Sequence, residues 1–400
     1  MSKKYKFDIP GSDITFTVER LRYERHELIG ELTVQCGIPG ARLIDNYLHI
    51  GDLNFSSVRA RQDRARLLRE RAGTNGIPDW YGLLEDLSHR IHSAEREGVP
   101  AVDLREIPRR AGDQDTLSVD GLVFPRHHPS ILFGDGGAAK SYTALFIAGN
   151  LARQGLSVAL FDWELCGDDH RGRLELLFGG NMPRILYCPC ENSLTVEADR
   201  LRRVVRDNKV EYSIYDSTGF ACEGKAEESQ TPGLYFRAVR QIGTGSLHIA
   251  HISRNAEQKD QKPFGSVFWH HGARATWYVE AEERLEGAAG NTLQLGFFNR
   301  KANLSRLYPP VRWEVSFGNT QTTFQRTDWT NSPQLASKLS IRQRMHYLLQ
   351  QGSMTPSDIA EQVDADIETV KREVRRRRNE FVTLSDGRIG LHMNVITAAS

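Results

Sequence analysis

The sequence predicts an α/β protein built on a mostly parallel sheet, with an α+β module before the sheet and a winged helix-turn-helix after it. Three observations carry that prediction. Between about residues 130 and 280, apolar runs of strand length alternate with helical stretches, the pattern of parallel strands joined by crossover helices. One of these runs stops at a small-residue loop and restarts as a helix, which is the layout of a phosphate cradle. Beyond Gln334, three helical stretches precede two short apolar strands around a turn. The expected units are 1–108 (α+β module), 109–330 (P-loop domain) and 331–400 (winged helix).

A chain of 400 residues is long enough for two or three domains, each burying its own core. Its 52 Lys+Arg against 51 Asp+Glu leave a net charge of +1, which excludes a global basic field, so affinity for nucleic acid has to come from local patches. Cys36, Cys166, Cys188, Cys190 and Cys222 contain no C-x-x-C pair, so neither a disulfide framework nor a zinc site is indicated, and Cys188-Pro189-Cys190 reads as structural. No apolar run approaches the roughly 20 residues of a membrane span, and the charged start is not a signal peptide. A cytoplasmic protein away from membranes is expected.

Residues 5 to 38 hold alternating segments (Tyr5 to Ile9, Ile14 to Val18, Glu31 to Gln35) separated by turn residues such as Pro10-Gly11, as in a small antiparallel sheet. From about 56 to 98, Leu67, Leu68, Trp80, Leu83, Leu84, Leu87 and Ile91 recur at helical spacing. The arginines at 59, 61, 64, 66, 69 and 71 are interleaved with acids and apolar residues; they read as a solvated helix face, with contact to a phosphate backbone as the alternative. Periodicity is lost around Pro108 to Asp113, where a linker is expected.

The cradle is Gly134-Asp135-Gly136-Gly137-Ala138-Ala139-Lys140-Ser141-Tyr142, after the strand Ile131-Leu132-Phe133. Loops without bulky side chains let backbone N–H groups surround a polyphosphate, and the following helix turns its positive end on the same anion. Lys140 would reach the β- and γ-phosphates of ATP and Ser141 the Mg²⁺. The loop departs from G-x-x-x-x-G-K-[ST] in carrying Ala139 at the second fixed glycine. Further strands are expected at 157–163, 185–187, 212–215, 246–250 and 276–279. Hydrolysis needs one carboxylate beside Mg²⁺ and another for the attacking water. Asp216, at the end of Tyr212-Ser213-Ile214-Tyr215, suits the first role, and Glu164, at the exit of the strand after the P-loop helix, suits the second, facing the γ-phosphate from a strand expected beside the P-loop strand; Asp162 is the next candidate for that role.

Taken in order, Gly134 to Ser141, Phe161-Asp162-Trp163-Glu164, Tyr215-Asp216-Ser217 and His248-Ile249-Ala250-His251-Ile252-Ser253-Arg254 resemble the RecA-like P-loop ATPases of the RepA and DnaB hexameric-helicase group, and the AAA_25-type ATPases of phages and mobile elements. The resemblance extends to Pro263 to Trp269, Ala273 to Trp277 and Arg300 to Asn303, and covers roughly 120 to 315. It implies Glu164 as catalytic glutamate, Asp216 as the carboxylate on the Mg²⁺ side and His251 as a sensor of the γ-phosphate, although a satisfied buried histidine remains the other reading of His251. It also implies a DNA-facing loop carrying Arg254, Lys259 and Lys262, and a basic finger from Arg300 and Lys301, with Arg274 as competitor, reaching into a neighbouring subunit of a homo-oligomer such as a hexamer.

In the tail, Ile367, Val370, Val374 and Phe381 make an apolar stripe on a third helix expected over 367–381, while Lys371, Arg372, Arg375, Arg376, Arg377 and Arg378 make its outer face basic. Such a helix can enter a major groove, with Arg388 in the hairpin turn on a flanking phosphate. The expectation is therefore an ATP-driven, replicative-helicase-like motor with single-stranded DNA at its core and duplex DNA at its winged helix. An ATP-dependent loading factor without unwinding and a nucleotide-sensing regulator are the alternatives.

Overall fold

The computed structural model describes residues 4–73, 78–98, 100–108, 115–226, 228–251, 267–287, 290–303, 306–329 and 339–392. The chain divides into two compact units, Met1–Ala111 with Gln241–Gly243, and Gly112–Arg240 with Thr244–Ser400. Among the described residues no helix is long and apolar enough to cross a membrane. The linker expected at 109–113 lies outside the described residues.

The first unit is an antiparallel meander, β1 (Tyr5–Asp8), β2 (Ile14–Glu24), β3 (Glu27–Cys36) and β4 (His49–Asn54), in that spatial order, followed by α1 (Val58–Ala72) and α2 (Trp80–Glu97). Alternation puts Phe16, Val18, Leu32 and Val34 in one core with Leu68, Trp80, Leu84 and Ile91. The arginine-rich stretch on α1 has a structural use that its pattern does not reveal. Buried Arg61 pairs with Glu85 at 2.7 Å, Arg64 contacts the His49 ring and donates to the Asp52 carbonyl at 2.8 Å, and Arg71 donates to the Leu48 carbonyl at 2.9 Å. Burial, reinforced by Arg64 and Arg71, pushes His49 down to about 4, so it stays neutral beside them.

The second unit opens with a hairpin absent from the sequence reading, β5 (Thr116–Val119) and β6 (Leu122–Pro125), and continues with β7 (Pro129–Gly134), α3 (Lys140–Arg153), β8 (Val158–Asp162), α4 (Gly167–Phe178), β9 (Ile185–Pro189), α5 (Leu194–Asp207), β10 (Tyr212–Asp216), α6 (Thr218–Ala221), α7 (Gln230–Ile242) and β11 (Gly245–His251). Then come α8 (Val267–Gly272), β12 (Ala275–Gly287), β13 (Gly290–Ala302), β14 (Val311–Phe317) and β15 (Thr322–Arg326). The nine-stranded sheet has the order β15-β14-β13-β12-β7-β11-β10-β8-β9. Every pairing from β12 to β9 is parallel, and β13, β14 and β15 extend the sheet antiparallel. β7 lies in the middle with Ile131, Leu132 and Phe133 fully buried, each contributing on the order of 2 kcal/mol.

The lateral order corrects one expectation. β8 is not adjacent to the P-loop strand, because β11 and β10 are inserted between them. Parallel strands are joined by crossovers that can skip positions, so sequence neighbours need not be sheet neighbours. β7 lies between β12 and β11, with His251 of β11 paired to Gly134, and β10 pairs with β8 so that Asp216 meets Asp162.

The tail, part of the second unit, has helices α9 (Ile341–Leu349), α10 (Pro356–Gln362) and α11 (Ile367–Arg376) and a hairpin of β16 (Phe381–Thr383) and β17 (Ile389–Leu391). Its core contains Met345, Leu349, Ile359, Val370, Val374, Phe381 and Ile389. The third helix stops at Arg376 rather than running to Phe381. Phe381 is instead the first residue of the hairpin and is buried there, a packing gain that outweighs continuation through a run of four like charges. The Tyr347 hydroxyl donates to the Pro310 carbonyl at 2.8 Å and its ring lies against Trp329.

Candidate active site at the carboxyl edge of the sheet

Gly134 closes β7 where β12 comes nearest: a Cβ there would stand 2.2 Å from the Val279 carbonyl oxygen, so only glycine fits. Past it, Gly136 and Gly137 border open space, and Gly137 takes a φ of +81°. Ala138 is buried. Ala139, in the position before the helix, is left-handed at φ 47°, ψ 32°, a conformation that costs a residue with a Cβ roughly 1 kcal/mol. The loop keeps the path a glycine would follow.

Lys140 and Ser141 open α3. The Lys140 ammonium is buried and donates to the Asp135 carbonyl at 2.6 Å, drawing the side chain back over the loop. Burial lowers its pKa against the opposing pull of Asp216, Glu164 and Asp135. Tyr142 turns away into packing, edge-on to Phe317 at 5.4 Å and under the Arg173 guanidinium at 4.9 Å.

Asp216 is only 1% exposed, and its Oδ1 has no hydrogen-bond partner among the described residues. Burial raises its pKa to about 6; the Ser141 hydroxyl opposes the rise, and Glu164 adds to it. Ser141 and Asp216 thus meet although two strands separate their elements in order along the chain. Two oxygen donors beside the Gly134 to Ser141 loop fit Mg²⁺, which takes one or two protein oxygens and fills the rest of its shell with water and substrate oxygens. The orphaned carboxylate oxygen is the observation that favours this fit.

Glu164 lies in the turn after β8, exposed, and acts electrostatically on Lys140, Asp216 and His251. The turn is held from below. Asp162 Oδ1 accepts the Glu164 and Leu165 N–H groups at 3.0 and 3.1 Å, and the Trp163 N–H donates to the Asp216 carbonyl at 2.7 Å. His251 is exposed at the end of β11, with its pKa lowered by burial of the ring's surroundings and by Lys140. The satisfied buried histidine of that strand is His248, bonded to Tyr235 and Ser246 at 2.8 Å each and pushed down to about 3.

Other expected residues are not in this cluster. Arg274 sits across from Pro129, five residues and so about 16 Å upstream of Gly134. Lys301 donates to the His270 and His271 carbonyls at 2.7 and 3.2 Å, capping α8, and Arg300 lies over the rings of Tyr278 and Phe298. Arg254, Lys259 and Lys262 lie outside the described residues. Arg372, Arg375, Arg376 and Arg388 are exposed in the tail and Lys371 is half-buried.

No protein-family model matches the chain, and no curated protein matches it. Among solved structures it is similar to the "ATPase Domain of G40P", at 15% identity over 51% of this chain and 86% of that one with a TM-score of 0.39. It is also similar to the KaiC-like protein PH0186 of the archaeon Pyrococcus horikoshii OT3, at 14% identity over 50% and 91% with a TM-score of 0.40. The chemistry of the site is therefore read from its own side chains.

Tyr187 and His170, which meet Asp162, are the residues near the site that sequence reading misses. Their one local signal is an Asp two residues before Glu164, where a side-chain oxygen can accept the N–H two residues on.

Because Asp216 is raised from 3.8 to about 6, its ionised form is less favourable folded than unfolded. The penalty is absent below pH 3.8 and complete above about 6, where it amounts to roughly 2–3 kcal/mol. Asp216→Asn should therefore raise the melting temperature of the nucleotide-free protein at pH 7 and lose that advantage near pH 4. Equal melting temperatures of variant and parent across this range would contradict it.

Proposed function

We propose that this chain is a Mg²⁺-dependent ATPase of RecA-like architecture working on DNA as a helicase-like motor. The observation that carries the reading is the buried Asp216, with one open oxygen, meeting Ser141 at the foot of the cradle while Glu164 and His251 flank Lys140. In this reading, the loop N–H groups and the α3 amino terminus bind the phosphates, and Lys140 leaves the Asp135 carbonyl for the β- and γ-oxygens. Glu164 orients the attacking water and takes its proton, and His251 senses the γ-phosphate. Mg²⁺ held by Ser141 and Asp216 would neutralise the charge developing on the leaving phosphate.

Action on DNA is the finer part of the proposal. The tail supports a winged helix through its three helices, hairpin and separate core. Its basic face is weaker than its composition suggests, since Glu368 lies near Lys371 and Arg375, Glu373 near Arg376 and Arg377, and Asp386 near Arg388. Exposed pairs of this kind are worth little and can be exchanged for phosphate contacts. For Arg274, the distance from its own Gly134 supports a role on a neighbouring subunit; for Lys301, engagement with two carbonyls makes that role less favourable. A loading factor without unwinding is the second reading, favoured by the ion pairs that already occupy basic residues of the tail and leave it free to dock protein instead of DNA.

The experiment that tests the chemistry compares two variants. Lys140→Ala should lose tight ATP binding, whereas Glu164→Gln should bind ATP like the parent and lose turnover by a factor of about 10² or more. Parental turnover in Glu164→Gln would sink the assignment.

If Arg274 or Arg300 completes a neighbour's site, turnover per subunit should rise with protein concentration. Mixing Glu164→Gln chains with chains altered at Arg274 and Arg300 should then restore part of the activity. Concentration-independent turnover by a monomer would remove the trans role.

For the tail, Arg375→Ala with Arg376→Ala should weaken binding of the full chain to every duplex. The slope of log affinity against log salt should flatten by about one unit for each DNA phosphate that the variant no longer neutralises. Fluorescence anisotropy over a salt series measures it, and an unchanged slope would assign the tail to protein docking.

A further inference from the structure

Asp162 is the most completely engaged carboxylate near the site, yet the chemistry described above gives it no part. It ends β8 at 2% exposure. Oδ1 accepts the backbone N–H groups of Glu164 and Leu165; Oδ2 accepts the Tyr187 hydroxyl at 3.0 Å, and His170 Nε2 stands 3.2 Å from the same oxygen. The backbone is tied as well, with the Asp162 carbonyl accepting the Cys190 N–H at 2.8 Å.

We propose that Asp162, Tyr187 and His170 form a positioning cluster that aims Glu164. This rests on the hydrolytic role of Glu164 proposed above. Glu164 belongs to no helix or strand and its side chain is exposed, so its direction depends on the backbone turn that carries it. Its aim is set by the turn, and the turn hangs from one carboxylate oxygen. That oxygen is immobile because the other is held by a hydroxyl from β9 and faces an imidazole from the first turn of α4. A shift of about 1 Å in a reacting group can cost a factor of 10² in rate, so this second layer is where precision is gained or lost. Asp162 cannot itself serve as the base, since both of its oxygens are occupied and buried.

A purely structural role for the cluster predicts something different from positioning, and substitutions that preserve volume separate the two. Tyr187→Phe removes one donor and His170→Leu removes the imidazole, while His170→Gln returns a side-chain N–H. In the full-length protein, Tyr187→Phe and His170→Leu should each lower kcat about ten-fold or more. Both should leave the Kd for a fluorescent ATP analogue and the KM for ATP at parental values, and His170→Gln should recover most of the rate. In a Glu164→Gln background, neither change should lower the residual single-turnover rate further, because there is no longer a base to aim. Parental kcat in Tyr187→Phe and His170→Leu, or equal losses with and without Glu164, would overturn the proposal while leaving a dead Glu164→Gln, and the function with it, intact. A Glu164→Gln variant that turns over like the parent would instead remove the catalytic reading and this cluster's role together.

Discussion

The parallel register of four strands is the constraint on which the candidate site depends. β7, β11, β10 and β8 run side by side in one direction, so their carboxyl ends finish at one edge, and Gly134, His251, Asp216 and Asp162 come to that edge from segments spread over more than a hundred residues. Ligands of open α/β sheets bind outside the carboxyl ends of the strands because the loops there leave the sheet with their side chains and N–H groups unclaimed. A register slip of one residue in β10 would turn Asp216 to the opposite face. The wholly buried pattern of β10 and the pairings of Tyr212 through Asp216 with β8 keep that from happening.

The register also brings together charges that do not suit one another's burial. Lys140 and Asp216 are each more than nine-tenths covered, and burial works against the charged form of both. They act on one another favourably, but among the described residues Asp216 keeps an oxygen without a donor. A fold optimised for stability alone would hold an apolar residue or a closed ion pair there. Keeping a carboxylate in reserve beside an open loop is the kind of local cost that preorganised sites carry, with the surrounding buried strands stabilising the whole.

Much of this is legible in the sequence because it is local. Strand, loop, Lys140-Ser141 and helix announce themselves in a dozen residues, and the acids at strand exits follow from where an apolar run ends. The lateral order of strands is not legible, since nothing in β8 says that β10 and β11 will insert between it and β7. The same limit hides Tyr187 and His170, which meet Asp162 only once β9 and α4 are in place. The end of α11 escapes sequence reading for a related reason: Phe381 continues the helical stripe by spacing, but its burial is decided by its hairpin partner Leu391. On α1, arginines that look solvated by pattern are recruited by carbonyls of β4 and the residues flanking it.

Ala139 stands where the proposed cradle motif has glycine, and its backbone is left-handed. The second fixed glycine of a P-loop is usually explained by close approach to phosphate, yet Ala139 also takes a left-handed backbone that a Cβ disfavours. A methyl group is tolerated because the preceding glycines carry the open part of the loop and Ala138 anchors it in the core. Glycine at 139 would relieve the backbone strain but loosen the unfolded chain, two effects of similar size and opposite sign. The backbone conformation of the loop is thus compatible with either glycine or alanine at 139, and a reading of the motif by letters alone does not register it.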